Sequence, residues 1–254
     1  LQLRATLEPF RDFKIDLNAT RVSTKARSIQ YMYAGRPTTQ SGTFSMTTIS
    51  LGSAFEGIGN ANSGYHSKTF DRFCNLLDGF QQRVEAQYVG SRYPAGTSLA
   101  GQAFNPNNGT VSRYSADVMV PAFLSAYTSV SGKGLDIFPA LTKLLPNWSV
   151  RYSGLVQLPW FRDVFRSFNI NHGYRSIYTV GSYASFSSYQ EYMNGLGFVV
   201  DATSGNPVPS SMFNVSMVSI NEAFSPLLGI DMTFNSGMTA KLEYRTVRSL
   251  NLSM

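Results

Sequence analysis

Residues 227–254 read LLGIDMTF, then NSG, then MTAKLEYRTVRSLNLSM. Ile230, Met232 and Phe234 alternate with Asp231, Thr233 and Asn235, and Ala240, Leu242 and Tyr244 alternate with Lys241, Glu243 and Arg245. Successive side chains of a strand point to opposite faces, so this spacing predicts two strands, each apolar on one face and charged on the other. Asn235-Ser236-Gly237 is a short turn between them, and Gly237 is free to take a positive φ. Such a hairpin needs an apolar surround on one side and water on the other. A soluble sheet finds the first in a protein core; a membrane barrel finds it in lipid and turns its polar face to a wet lumen. The hairpin alone allows both.

The same alternation recurs upstream. Leu1, Leu3, Ala5 and Leu7 alternate from the first residue, as if the chain begins inside a strand, and no secretory leader precedes them; the chain reads as part of something longer. After a turn at Glu8–Asp12, Phe13, Ile15, Leu17 and Ala19 alternate with Lys14, Asp16, Asn18 and Thr20, in a strand expected to reach about Tyr31. Residues 34–42 are a loop, and 44–54 the next strand. From 55 to 146 the period changes. Phe70, Phe73, Leu77, Phe80 and Val84 recur at helical spacing, with Ser67 or Thr69 as cap and Gly90 as terminator. A second helix is expected over 117–128, and the block reads as a partly helical insertion at one rim of a sheet. Strands resume with Trp148, Val150 and Tyr152. The run Leu158–Phe168 sets Trp160, Phe161, Phe165 and Phe168 among Arg162 and Arg166, a mixture that suits either a membrane–water interface or a small aromatic core. A strand to about Phe186, a loop over 187–210 and a run from Phe213 lead into the final hairpin. The expected organisation is therefore strands over 1–54, the insertion over 55–146, and strands over 147–254. One count does not close. Short turns at 8–12 and 235–237 share a side only if an even number of strands separates them, and periodicity gives five; Pro226 is the expected point of a split.

Composition narrows the class. Hydrophobic residues make up 43% and charged residues only 14%, against about 25% in ordinary globular chains, a balance that fits an all-β protein and outer-membrane barrels in particular. No apolar run approaches the ~18 residues of a spanning helix, so any membrane crossing is by strands. The net charge of +6 is scattered singly rather than gathered into a stripe, which argues against nucleic acid as a partner. Cys74 stands alone, which excludes an intrachain disulfide framework and reads as a helix thiol packed among apolar neighbours. His66 and His172 have no metal-ligand spacing, and His172 reads as a hydrogen-bonded rim residue. Ser131-Gly132-Lys133-Gly134 lacks the full phosphate-loop pattern, and no carboxylate pair stands at a usable spacing. The sequence predicts neither an enzyme nor a cofactor.

Several stretches carry a resemblance: PFRDFKIDLNATR (9–21), DVMVPAFLSAY (117–127), LDIFPALTKLLPNW (135–148), PNWSVRYSGLVQLPWF (146–161), HGYRSIYTVGSY (172–183), INEAFSPLLGIDMTF (220–234) and MTAKLEYRTVRSLNLS (238–253). In this order they resemble the SprA (Sov) family, the giant outer-membrane translocons of type IX secretion in Bacteroidota. The resemblance implies an all-β chain with a helical insertion, a segment of an antiparallel transmembrane β-barrel of about 36 strands that does not close by itself. It implies export of folded proteins bearing a C-terminal secretion domain, and support of gliding motility in some relatives. The implied surroundings are outer-membrane lipid, the remainder of the barrel chain (a final barrel strand included), a PorV-type shuttle protein, a periplasmic plug protein and secreted cargo.

On that reading Asp16, Asn18, Arg151, Arg175, Asp231, Lys241, Glu243 and Arg245 line the lumen, with mixed signs that avoid trapping any one cargo. Phe13, Ile15, Leu17, Val150, Ile230, Met232, Leu242 and Tyr244 face lipid. Trp148, Trp160, Phe161 and Phe165 sit at the membrane interface. The competing readings are a passive outer-membrane porin or nutrient receptor, and a soluble β-rich cell-surface adhesin.

Overall fold

The turn after the first strand is held by Asp12, which takes a left-handed φ of 66° and leaves β1 (Gln2–Phe10) paired antiparallel with β2 (Phe13–Ser28). The computed structural model describes the chain except residues 30, 33–37, 58, 133–134 and 194–195; parts of the expected loops at 34–42 and 187–210, and of Ser131–Gly134, therefore lie outside the described residues. Strands account for 46% of the chain and helices for 22%, the sheets are antiparallel, and they do not close into a barrel.

Six lanes form the main sheet. β1 and β2 are followed by β3 (Thr39–Thr47) and β4 (Asn147–Tyr152), then β5 (Phe165–Ser185), β10 (Met217–Phe234) and β11 (Thr239–Ser253). β3 and β4 share one lane. β3 pairs with the upper part of β2 and β5, as in Met46↔Tyr178 and Thr47↔Ile177. β4 pairs with their lower part, as in Asn18↔Asn147 and Trp148↔Tyr174. Continued by one rung each, the two registers make Thr48 and Asn147 neighbours: the Thr48 N–H donates to the Ser176 carbonyl at 3.1 Å, and the Asn147 side chain accepts from the Ser176 N–H at 2.8 Å. Residues 49–146 thus leave the wall from the middle of one strand. This corrects two expectations. The insertion does not spring from a rim, and the strand expected over 44–54 stops at Thr47, with a 3₁₀ turn at Leu51–Ser53. It also closes the count. Periodicity counts the two half-strands of one lane as two strands, whereas Pro226 does not split β10; it sits in a bulge where the register passes from Phe224↔Thr246 to Leu228↔Tyr244. The turns at 11–12 and 235–238, with the 153–164 connection, lie at one end, here the lower end.

The insertion builds a cap from α1 (Lys68–Tyr88) and α2 (Ala116–Tyr127). The Ser67 hydroxyl accepts from the Phe70 N–H and starts α1, and Asp71 lies in its first turn, where a negative charge is favoured. Phe73, Leu77, Phe80, Val84 and Tyr88 form the buried stripe, while Phe70, expected on it, is 40% exposed. β2 ends at Ser28, short of Tyr31. A short helix α3 (Pro159–Arg162) leads into β5. The stretch expected as a loop over 187–210 carries instead a small sheet, β6 (Gln190–Met193), β7 (Leu196–Val200) and β8 (Pro207–Ser210), and β9 (Phe213–Val215) caps the top of β5. Phe198 of that sheet packs on Tyr88, at 5.3 Å between ring centroids.

Candidate functional site

The site is the main sheet itself. Register assigns each residue to one of two faces. Phe13, Ile15, Leu17, Trp148, Val150, Ile170, Ile230, Met232, Leu242 and Tyr244 share one face through the pairs Ile15↔Val150, Leu17↔Trp148, Tyr152↔Ile170, Ile230↔Ile170 and Ile230↔Leu242. All eight residues expected to face lipid are on it. Asp16, Asn18, Arg151, Arg175, Asp231, Lys241, Glu243 and Arg245, the eight expected to line a lumen, occupy the other face through Asp16↔Ser149, Arg151↔Asn171, Asp231↔Asn169 and Asp231↔Lys241.

The apolar face has two halves. Above Thr48 it carries Phe44, Met46, Tyr178, Val180, Val218 and Ile220, all buried beneath the cap. Phe138, in a bend on the return of the insertion, lies 4.6 Å from the Tyr183 ring, 5.5 Å from Phe213 and 5.6 Å from Phe44, and the Tyr178 hydroxyl donates to the Ile137 carbonyl at 2.9 Å. Below Thr48 no described element covers the face except at its lowest end, where Phe161 of α3 packs on Phe168 at 5.0 Å. The buried core cluster takes no residue from this lower half, and Leu3, Leu7, Leu242 and Tyr244 stand about half exposed or more.

A buried polar network marks the boundary. Glu222 is 2% exposed although it lies in phase with Ile220 and Phe224. It pairs with Arg248 of β11 at 2.7 Å, and its carboxylate accepts from the Tyr174 hydroxyl at 2.7 Å and the Ser50 hydroxyl at 2.6 Å. The same guanidinium donates to the Ser50 and Ser53 carbonyls at the stem of the insertion. A buried carboxylate is tolerated only when paired and hydrogen-bonded, and here the partners tie the cap's stem to the wall. Neither residue was singled out in the sequence. The available signal was two opposite charges at apolar-phase positions of adjacent strands.

Aromatic rings gather at two heights of the bare half. At the lower end Phe10 stacks on Phe13 at 4.7 Å, and Phe161, Phe165, Phe168 and Phe234 form a second cluster with centroids 4.8–5.6 Å apart. Trp160, packed on Phe161, is 68% exposed. At the upper boundary Trp148 stacks on Tyr174 at 4.4 Å, and Phe55 of the insertion packs on Phe224 at 5.3 Å. His172 is not at a rim. It sits mid-strand, where a nitrogen of its ring meets the Leu227 carbonyl of the β10 bulge at 2.7 Å. Gly173 permits that bulge to approach, because a Cβ there would meet the Ser225 carbonyl oxygen at 2.8 Å.

The polar face is cross-linked along its lanes. Thr6 donates to Asp16 at 2.6 Å, Asn171 donates to Asp231 at 2.6 Å, and Lys241 and Arg245 both pair with Glu243, at 2.8 and 2.6 Å. In the cap, burial pushes the Asp117 carboxyl up to about 6, with Asp136 adding to the shift and a hydrogen bond from Ser211 opposing it. Cys74 is partly buried against the cap core. Among the described residues no group of three His, Cys, Asp or Glu could hold a metal ion, and no helix is long and apolar enough to cross a membrane, which says nothing of strands. Comparison with protein-family models found no match, and no curated protein matches the chain.

Proposed function

We propose that the chain is a segment of the wall of a protein-conducting outer-membrane barrel, a translocon of the type IX secretion class. The observation that carries this reading is the bare lower half of the apolar face. From Phe165 to Tyr174 β5 rises roughly 30 Å at ~3.3 Å per residue, and a tilt of about 35–45° reduces this to roughly 21–24 Å, close to the ~25 Å apolar band of outer-membrane barrels. Aromatic clusters bound that band on both sides, as rings favour the headgroup level. The opposite face, polar and charged through its lower half, lines the lumen. The edges of β1 and β11 are unpaired in this sheet and take further strands of the barrel. The cap stands outside the band and is the element placed to meet a shuttle or plug subunit.

Detergent dependence tests the membrane part. The full chain is expected to keep a cooperative thermal transition only in detergent or a bilayer, and to aggregate without them. A monodisperse, detergent-free monomer with such a transition overturns the reading in favour of a soluble adhesin. Co-purification tests the transport part: secreted proteins bearing the C-terminal secretion domain are expected to be retained by the membrane-inserted protein, whereas a passive porin retains none.

A further inference from the structure

A shallow depression of about 410 Å³ opens on the polar face at the level where β3 and β4 meet, lined among others by Asp16, Asn18, Thr47, Asn147, Ser149 and Arg175. One row of side chains runs through it, with Asn18, Asn147 and Arg175 in its lining and Arg4 on the next lane. Arg4 opposes Asn18, Asn18 opposes Asn147, and the next rung of the β4–β5 register sets Asn147 against Arg175. Four adjacent lanes thus present guanidinium, amide, amide, guanidinium, over roughly 14 Å at ~4.8 Å per lane. Elsewhere on this face Lys241 and Arg245 are answered by Glu243, and Arg151 donates to the Asn169 amide oxygen at 3.4 Å. Among the described residues neither Arg4 nor Arg175 has a carboxylate within salt-bridge distance. Asp16, the one acid in the depression, already accepts from Thr6 and lies 3.6 Å from Lys14. Asn147 uses its oxygen on the Ser176 N–H and keeps its amide nitrogen as a donor.

We infer that this row is a contact site for an extended, acidic polypeptide segment. Two guanidinium groups about four extended residues apart meet carboxylates, and Asn18, exposed between them, meets a main-chain carbonyl, while Asn147 is buried at the floor of the row. The inference rests on the translocon reading, where such a segment belongs to passing cargo, and it gives the lumen wall a preferred point of contact.

The test uses the full chain in a zwitterionic detergent and measures fluorescence anisotropy of fluorescein-labelled deca-glutamate, with deca-glutamine as reference. The variant Arg4→Gln/Arg175→Gln is expected to weaken deca-glutamate binding about tenfold. Lys25→Gln/Arg27→Gln removes the same charge from the opposite face, opposite Gly42 and Gln40, and is expected to change binding less than about twofold. Equal losses in the two variants, or no saturable binding by the unaltered chain, overturn the inference. If binding depends on Arg4 and Arg175 but the bare face meets no lipid, the translocon reading falls and the contact site stands. If the bare face meets lipid and binding ignores both arginines, only the site falls.

Discussion

The two halves of the apolar face are built from the same residue types at the same period of two, yet they have different surroundings. Above Thr48, Phe44, Tyr178 and Ile220 are sealed by helices and by Phe138. Below it, Ile15, Val150, Met232 and Leu242 have no covering element among the described residues. Alternation therefore reports that a face is apolar and leaves open what the face touches. The surround of the upper half is supplied mainly by residues 49–146, which follow β3 directly but are distant in sequence from β5 and β10, the other strands they cover. The Glu222–Arg248 pair lies where one surround gives way to the other.

The boundary is the place to break this comparison first. Arg248→Ala leaves the Glu222 carboxylate buried without its cation, and about 3–5 kcal/mol of stability is expected to be lost, read as protease sensitivity of α1 and α2. Replacing both members by apolar residues of similar volume is expected to restore most of it; if the single variant is as resistant as the unaltered chain, the pair does not anchor the cap. Truncation compares the halves directly. Phe44→Ala opens a cavity beneath the cap and is expected to cost about 3–5 kcal/mol, whereas Leu242→Ala on the bare half removes atoms that contact no protein core and is expected to cost under about 1 kcal/mol. Equal costs would erase the distinction.

Charge compares the two sides of one strand. Met232→Arg on the bare face is expected to cost roughly 2–4 kcal/mol if lipid covers it, and Asp231→Arg on the polar face, which gives up the Asn171 bond and faces Lys241, about 1 kcal/mol or less, read as the yield of folded protein in membranes. The smallest effect belongs to the cap. Between pH about 4 and about 6 the unfolded Asp117 carboxyl is ionised while the folded one keeps its proton, so stability falls as pH rises through that window and is level above it. The loss by pH 7 is about 2–3 kcal/mol, and Asp117→Asn is expected to abolish it, making the variant the more stable form at pH 7 but not at pH 3.5. An unchanged pH profile in thermal melts would place that carboxyl in water.

Much of this was legible in the residues. The two-faced strands, the capped helix from Lys68 and the positive φ of Gly237 follow from local spacing and local sterics. What was not legible is non-local. No spacing reveals that Thr47 and Asn147 end up on one lane, because the pairing partners that align them, Ile177 and Asn18, lie far away in sequence. The small sheet from Gln190 to Ser210 reads as loop because Pro207 and Pro209 and its short strands carry the composition of a turn. Glu222 and Arg248 looked like polar interruptions because each is meaningful only beside the other.

Site-by-site labelling tests the central claim most directly. In a Cys74→Ser background, single cysteines are placed at 230–234 and at 220 in the membrane-inserted protein. Each is exposed to a water-soluble maleimide and to a lipid-soluble photoactivated probe. Positions 231 and 233 are expected to react with the maleimide, 230, 232 and 234 with the lipid probe, and 220, beneath the cap, with neither. Maleimide labelling of 230, 232 and 234 as fast as 231 and 233, or no position reached by the lipid probe, would contradict a lipid-facing lower half and with it the barrel-wall account.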